Sequence, residues 1–200
     1  MALTKSVAAV DEWAEVAQNA VREGATTDVS GNYSCALHVD IALSTTTAHT
    51  GSKIEVQVSS NTTGDEDWTT FTTWIGPTGT ANSEAITNDP LSAASTTATC
   101  ASTTGLYDDD ETRWIFIEDG TVANSELCLL VSHVADTSVT FQDGTTNEHA
   151  QNTLMFDIAN TYAVDIPMWV NRVRVVYDNT YDSDGSTIHT KSRISKVTAV

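Results

Sequence analysis

The sequence is poor in cysteine, with three residues in 200, and none of them belongs to a CxxC pair. The number is odd, and a chain of this length buries a hydrophobic core without help from disulfides. We therefore predict that Cys35, Cys100 and Cys128 are small buried hydrophobic residues. No apolar run approaches the roughly 20 residues of a membrane-spanning helix, so no membrane partner is predicted.

Basic residues are also scarce, because nine lysines and arginines stand against 27 aspartates and glutamates, a formal net charge of −18. Nucleic acid is bound by clustered lysines and arginines, so this balance argues against nucleic acid as a partner. The first residues, MALTKSVAAVDEWAEV, do not fit a signal peptide, because their short apolar run is interrupted by Asp11 and Glu12. We expect the chain to fold in a reducing cytoplasm.

The common catalytic motifs HExxH, GxSxG and GxGxxG are absent from the sequence. The loop GPTGTANS lacks the lysine of a phosphate-binding loop. The histidines show no HxH or HxxxH spacing that would indicate a zinc site, and they are scattered at positions 38, 49, 133, 149 and 189. These absences predict a protein that is not an enzyme and has no cofactor.

Threonine is abundant, and β-branched residues favour strands over helices. Apolar and polar residues alternate in CALHVDIAL at 35–43 and in KIEVQVS at 53–59, as in strands with one buried face. About ten such segments alternate with turn-rich connections such as NTTGDED and EDGTVANS. The pattern predicts a mainly β chain, folded as an antiparallel β-sandwich or jelly-roll-like domain.

One amphipathic helix is predicted at residues 7–23, between a capping Ser6 and Gly24. Its apolar stripe follows the i, i+3, i+4 spacing and includes Val10, Trp13, Ala17 and Val21. The stripe needs an apolar partner, either the sandwich of its own chain or a neighbouring subunit. We therefore predict a helical contact or anchor segment at residues 1–24 and a single β-sandwich domain at residues 25–200.

Two acidic loops contain candidate calcium ligands. The sequence DSDG is similar to part of an EF-hand loop, but Thr180 occupies the first ligand position and Lys191 the twelfth. The second loop is YDDDETR at 107–113. Solvated acidic turns are predicted for both loops. Calcium binding is the alternative, and its candidate ligands are Asp182, Asp184, Asp108 and Asp110.

The segment VNRVRVVYDNTYDSDGSTIHTKSRI, residues 170–194, concentrates basic residues in an acidic chain. We predict that its two arms pair as a β-hairpin, with Arg174 opposite Lys191 and Arg172 opposite Arg193. Like charges on directly opposite residues are destabilising, so carboxylates are expected to face them. These carboxylates come either from the same domain or from another subunit. In the second case the four basic residues are inter-subunit contacts.

Several segments, taken in order, resemble a known class of protein. They are VDEWAEV, GSKIEVQVSSN with DEDWTTFTTW, EDGTVANSELCLLVS, and NRVRVVYDNT with SRISKVTAV. Their order and character resemble small virion structural proteins of tailed bacteriophages, and the resemblance covers most of the chain. It implies a β-sandwich that decorates or cements a capsid or lies on the tail, assembles as a symmetric oligomer and has no catalytic residues.

We therefore predict a capsid decoration or cement protein, made in the host cytoplasm and located in the virion. It would form a homo-oligomer, a dimer or trimer, and contact other virion proteins such as the major capsid protein. The predicted contacts lie in the N-terminal helix and the C-terminal hairpin. A tail-associated protein is one alternative. A carbohydrate-binding module or adhesin is another, and it requires an exposed flat face among Trp68, Trp74, Trp114 and Trp169.

Overall fold

The computed structural model describes residues 3–45, 47–64, 67–106, 113–182 and 185–199. Over these ranges the chain forms fifteen β-strands and one 3-10 turn, Val122–Asn124, and contains no α-helix. Every strand pairing is antiparallel. The predicted mainly β, antiparallel class is therefore confirmed. No helix in the described ranges is long and apolar enough to cross a membrane.

The strands follow one another along the whole chain. In order they are β1 (Leu3–Val16), β2 (Val21–Glu23), β3 (Thr27–Asp28), β4 (Ser34–Leu43), β5 (Lys53–Ser59), β6 (Thr69–Ile75), β7 (Ser83–Ala85), β8 (Thr97–Thr99), β9 (Arg113–Glu118), β10 (Glu126–Val134), β11 (Ser138–Phe141), β12 (Leu154–Phe156), β13 (Ala159–Ile166), β14 (Arg172–Asp178) and β15 (Ile188–Ala199).

Two of the three sheets share one hydrophobic core. The first sheet has the order β1–β15–β4–β13, and the second has the order β2–β14–β5–β6, with β3 also paired to β14. Alternate residues of each strand point into the core, as the two-residue period of a strand requires. On β4 these include Leu37 and Val39, and on β5 they include Ile54 and Val56, all fully buried in one cluster.

The third sheet has six strands in the order β7–β12–β9–β10–β11–β8 and lies in the chain between β6 and β13. Ile86 and Cys100, which follow its two edge strands, pair with each other, so the sheet curves towards closure. It encloses a second hydrophobic cluster that includes Leu106, Phe141 and Met155. The cysteines at 35, 100 and 128 are all buried and free, as predicted.

Strand β9 joins the two cores because its side chains alternate between them. Ile115 and Ile117 belong to the cluster of the six-stranded sheet, whereas Phe116 belongs to the cluster of the other two sheets. The Phe116 ring lies 4.9 Å from the ring of Trp13 on β1 and 4.9 Å from the ring of His189 on β15. These aromatic contacts pack β9 directly against the first sheet.

The predicted helix at residues 7–23 is wrong, because β1 occupies most of this segment and pairs with β15 along its length. The pairing shifts register on both sides of Asp11, and each shift inserts one extra residue in β1. A β-bulge of this kind reverses the alternation of side chains. The buried residues Trp13 and Val16 therefore lie three positions apart, a spacing that is also typical of a helix.

The predicted hairpin at residues 170–194 is also wrong. Strand β14 pairs with β2, β3 and β5 in the second sheet, whereas β15 pairs with β1 and β4 in the first sheet. The chain passes from one sheet to the other between them, and after β14 the Asn179 amide donates to the carbonyl oxygens of Val16 (3.1 Å) and Ser186 (2.9 Å). The like-charged ladder between the two arms therefore does not form.

Replacing Trp13 with alanine should lower the free energy of unfolding by about 3–5 kcal/mol, because an aromatic side chain is removed from a packed core. Trp13 is 4% exposed, and its loss leaves a cavity against Phe116. Urea denaturation followed by circular dichroism measures the change. The control Val7→Ala, at an exposed site on the same strand, should shift the value by less than about 0.5 kcal/mol. An undiminished stability of Trp13→Ala would contradict this packing.

Candidate functional site

The beginning of β1 pairs with the end of β15, and these residues, 3–9 and 193–199, are termed the β1–β15 ribbon. On its other side β15 pairs with β4, from Arg193 opposite His38 to Val197 opposite Ser34, so residues 3–9 form the outer strand of the sheet. All residues from 3 to 9 are exposed, and Leu3 and Val7 have relative exposures of 62% and 60%. Strand β1 is at the edge of its sheet, and in the described part of the chain no strand pairs with its outer side. Such an edge presents backbone donors and acceptors that another strand can bind.

The ribbon also differs from the rest of the chain in charge. It contains Lys5, Arg193 and Lys196 and no acidic residue, so all 27 aspartates and glutamates lie elsewhere. Lys5 is exposed, and the Lys196 ammonium donates to the carbonyl oxygen of Asp28. A basic ribbon on a strongly acidic body is electrostatically complementary to the surface of a second acidic protein.

The four predicted contact residues near the N-terminus have different environments. Val10 packs partly buried against the core, and Trp13 is buried within it. Ala17 lies exposed in the turn after β1, and Val21 on β2 is 55% exposed. The inter-subunit role of these residues stays a prediction. Ala17 and Val21 have the exposure that it requires.

Arg172 and Arg174 lie side by side over the ring of Trp68, with guanidinium carbons 5.1 and 4.5 Å from its centroid. Arg174 forms an ion pair of 2.8 Å with Glu23 on the neighbouring β2. Arg172 is buried, and its Nε donates to the carbonyl oxygen of Asn61 over 2.8 Å. Both side chains are therefore held by groups of their own chain.

Lys191 and Arg193 lie on the opposite side of the molecule's core, on β15. The Lys191 ammonium lies 3.3 Å from the Glu12 carboxylate, and the Arg193 guanidinium lies 3.4 Å from the Asp40 carboxylate. With Trp114 they line a pocket of about 290 Å³ beside the six-stranded sheet. Carboxylates of the same chain thus face these two residues and Arg174, and any further contact with another subunit stays a prediction.

Of the candidate calcium ligands, Asp182 lies in the described part of the chain, whereas Asp108, Asp110 and Asp184 lie outside it. Asp182 is buried in the connection between β14 and β15. Its carboxylate accepts hydrogen bonds from the backbone N–H groups of Thr50 (3.2 Å) and Ser186 (2.7 Å). These bonds anchor the connection. A calcium-binding role for the acidic loops stays a prediction.

Two buried histidines that the sequence did not distinguish are each surrounded by carboxylates. The first, His149, has Nε2 2.6 Å from Glu126 and Nδ1 3.1 Å from Asp119. Burial disfavours the charged imidazolium, but the hydrogen bonds to Glu126 and Asp119 outweigh it and raise the pKa of His149. Glu126 also accepts the backbone N–H groups of Thr146 and Asn147, so this group ties a loop to the start of β10.

The second histidine, His189, lies in a pocket of about 280 Å³ with Glu15 of β1 and Glu118 of β9. Its Nε2 is 2.6 Å from the Ser44 hydroxyl and 3.2 Å from Glu118. Its Nδ1 has no hydrogen-bond partner in the described part of the chain. A Ser–His–acid relay requires the serine and the acid on opposite ring nitrogens, so these residues do not form one.

The four tryptophans of the carbohydrate-binding alternative lie on separate elements. Trp68 packs under two arginines, and Trp74 on β6 stacks on Tyr162 at 5.1 Å between ring centroids. Trp114 lies half-buried on β9. Trp169, in the turn before β14, is 59% exposed. Trp169 is therefore the one exposed side chain among these four tryptophans, and the other three are partly buried.

The sequence matches no protein-family model and no curated protein. Solved structures that match it include the following three. The SPBc2 prophage-derived protein YomS has 13% identity, a TM-score of 0.30 and coverage of 98% of this chain and 96% of that one. VP17, a capsid protein of bacteriophage P23-77, has 11% identity, a TM-score of 0.20 and full coverage of both chains. A chain of infectious bursal disease virus, Gx strain, has 10% identity, a TM-score of 0.25 and coverage of 98% and 42%. At these TM-scores the likenesses carry no argument about function.

The stabilisation by His149 should depend on pH. Its pKa is raised in the folded chain above the ordinary value of 6.5, so its contribution is complete below pH 6.5 and is lost as the pH rises through the raised pKa. We expect His149→Gln to lower the free energy of unfolding more at about pH 6 than at about pH 9. Urea denaturation at a series of pH values measures the difference.

Glu126 sets the lower pH limit of this stabilisation. Burial raises its pKa, but the hydrogen bonds from His149, Thr146 and Asn147 outweigh burial and lower it below 4.5. Its contribution is therefore present above pH 4.5 and is lost as the pH falls through the lowered value.

Circular dichroism at each pH checks that the native chain and His149→Gln are both folded. If the difference in free energy of unfolding between the two proteins does not change with pH, the charged pairing of His149 with Glu126 is contradicted.

Proposed function

We propose that this chain is a non-enzymatic structural protein of a phage virion, which binds neighbouring subunits through the β1–β15 ribbon. The observation that carries the proposal is the open outer edge of residues 3–9, which are exposed throughout. Folded proteins usually protect an edge with short strands, proline, β-bulges or charged side chains. Strand β1 is 14 residues long and contains no proline, its bulges lie beyond Ala9, and Lys5 is the one charged residue among residues 3–9.

Charge supports an assembly made of copies of the same chain. The ribbon carries Lys5, Arg193 and Lys196, and the other six basic residues share the rest of the chain with all 27 acidic residues. A ribbon placed on the acidic body of the next copy joins opposite charges. A two-fold contact of ribbon on ribbon would join like charges. The proposed oligomer is therefore a closed ring of head-to-tail contacts, such as a trimer.

The phage assignment is supported by the resemblance of several segments to virion structural proteins of tailed bacteriophages. Within that class we propose a capsid decoration or cement role. An acidic protein with an open outer strand edge at residues 3–9 suits attachment to a capsid surface that has already formed. The major capsid protein is then the second partner. A tail-associated position is the alternative, and fractionated particles distinguish the two.

Self-association should weaken when the ribbon loses a positive charge. We expect Lys5→Ala to weaken it by about 1 kcal/mol, or roughly fivefold, and added salt to weaken it further by screening. Sedimentation velocity over a range of protein concentrations measures the equilibrium. The matched control is Lys53→Ala, which removes the same charge from β5, outside the ribbon. Equal effects of the two substitutions, or a monomer at all concentrations, would overturn the self-association.

The virion role is tested on purified particles of the phage that encodes the chain. We expect the chain to be present at a constant ratio to the major capsid protein, and to be lost from particles when residues 3–9 are deleted. The deleted segment is exposed, and β15 keeps its pairing with β4 without it, so the truncated protein should remain folded, which circular dichroism checks. Separation of capsids from tails assigns the position. Particles that lack the native chain would refute the proposal.

A further inference from the structure

We propose that Glu15, Glu118 and His189 bind a divalent transition-metal cation such as Zn²⁺. One ligand atom of each residue lies within 4.8 Å of the others. The three residues come from β1, β9 and β15, so they bring together the first sheet and the six-stranded sheet. This inference is independent of the virion role, because it concerns a pocket that the ribbon does not include.

The electrostatics of the pocket favour a cation. Two carboxylates face a space of about 280 Å³, and no lysine or arginine of the described residues lines it. Neighbouring carboxylates repel each other unless a positive charge or a proton lies between them. The Glu118 carboxylate is partly buried and Glu15 is exposed at the rim, so a cation from solvent has access and both charges are available to it.

The spacing of the inner ligand atoms fits tetrahedral zinc. Zinc binds histidine nitrogen and carboxylate oxygen at about 2.0–2.1 Å, so two tetrahedral ligands are separated by roughly 3.3 Å. The observed distance from His189 Nε2 to the Glu118 carboxylate is 3.2 Å. Glu15 is exposed, and its flexible side chain can rotate inwards to complete the three protein ligands. Water or the nearby Ser44 hydroxyl would occupy the fourth position.

The ligand types also select the class of metal. An imidazole nitrogen with two carboxylates suits zinc and its neighbours, whereas calcium prefers sites made of oxygen ligands alone. A metal binds the lone pair of His189 Nε2, so it would replace the contacts that this nitrogen makes with the Ser44 hydroxyl (2.6 Å) and the Glu118 carboxylate (3.2 Å).

The second ring nitrogen limits the affinity. Metal-bound histidines usually donate their other N–H to an acceptor, and loss of that acceptor weakens binding by about 10–100-fold. His189 Nδ1 has no such acceptor among the described residues. We therefore expect an affinity about 10–100-fold below that of a zinc site whose histidine has such an acceptor, and a structural effect, in which the metal ties β1 and β15 to the end of β9.

The test is isothermal titration calorimetry of the full chain with Zn²⁺ after dialysis against a chelator. We expect one site per chain, tighter binding of Zn²⁺ than of Mn²⁺ or Ca²⁺, and a rise in unfolding temperature that the chelator reverses. Absence of saturable binding up to about 1 mM Zn²⁺, the range of weak non-covalent binding, would overturn the proposal.

Glu15→Gln tests whether binding occurs at this pocket. The residue is exposed, so the variant should fold normally, and it should bind Zn²⁺ at least about tenfold more weakly because a charged ligand is lost. The matched control is Glu12→Gln, which removes an equal charge from an exposed position on the same strand. Glu118→Gln should reproduce the loss. Equal affinities in the native chain and Glu15→Gln would assign the binding elsewhere on the acidic surface and overturn the site.

Discussion

The antiparallel pairing of β1 with β15 is the constraint on which the other features of this protein depend. It joins the two ends of the chain, from Leu3 beside Ala199 to Val16 beside Ile188. At one end of this pairing, residues 3–9 form the exposed outer edge of the sheet beside the end of β15. At the other end the same register brings Glu15 opposite His189 and so creates the proposed metal site. One set of backbone hydrogen bonds therefore positions both candidate sites.

The two bulges around Asp11 adapt this long strand to two different environments. Before them, β1 is exposed on both faces, whereas after them Trp13 and Val16 enter the core. Trp13 then packs on Phe116, through which the six-stranded sheet rests on the first sheet. Asp11 itself is buried. Its carboxylate forms an ion pair with Arg22 (3.3 Å) and accepts a hydrogen bond from the Ser192 hydroxyl (3.2 Å). A buried carboxylate without such partners would be costly.

The distribution of charge separates folding contacts from contacts available to partners. Most of the basic stripe that stands out in the sequence is used inside the chain: Arg174 pairs with Glu23, Lys191 with Glu12, and Arg193 with Asp40. Such pairing limits the repulsion among the carboxylates. Lys5 and Lys196 form no ion pair with a carboxylate in the described part of the chain, and both lie in the ribbon. The ribbon is therefore the place where positive charge faces outwards.

The sequence by itself determined the strands whose alternation is local, among them β4 and β5, because one buried face imposes a period of two on consecutive residues. It also determined the acidic surface and the burial of the cysteines. Only the tertiary structure decided which strands pair. Two strands show the same alternation of apolar and polar residues whether they pair in one sheet or lie in two facing sheets. No local pattern therefore indicated that β14 and β15 belong to different sheets. Bulges gave β1 the spacing of a helix. His189, Glu118 and Glu15 lie far apart in the chain, and only the pairing register and the packing of Phe116 bring them together.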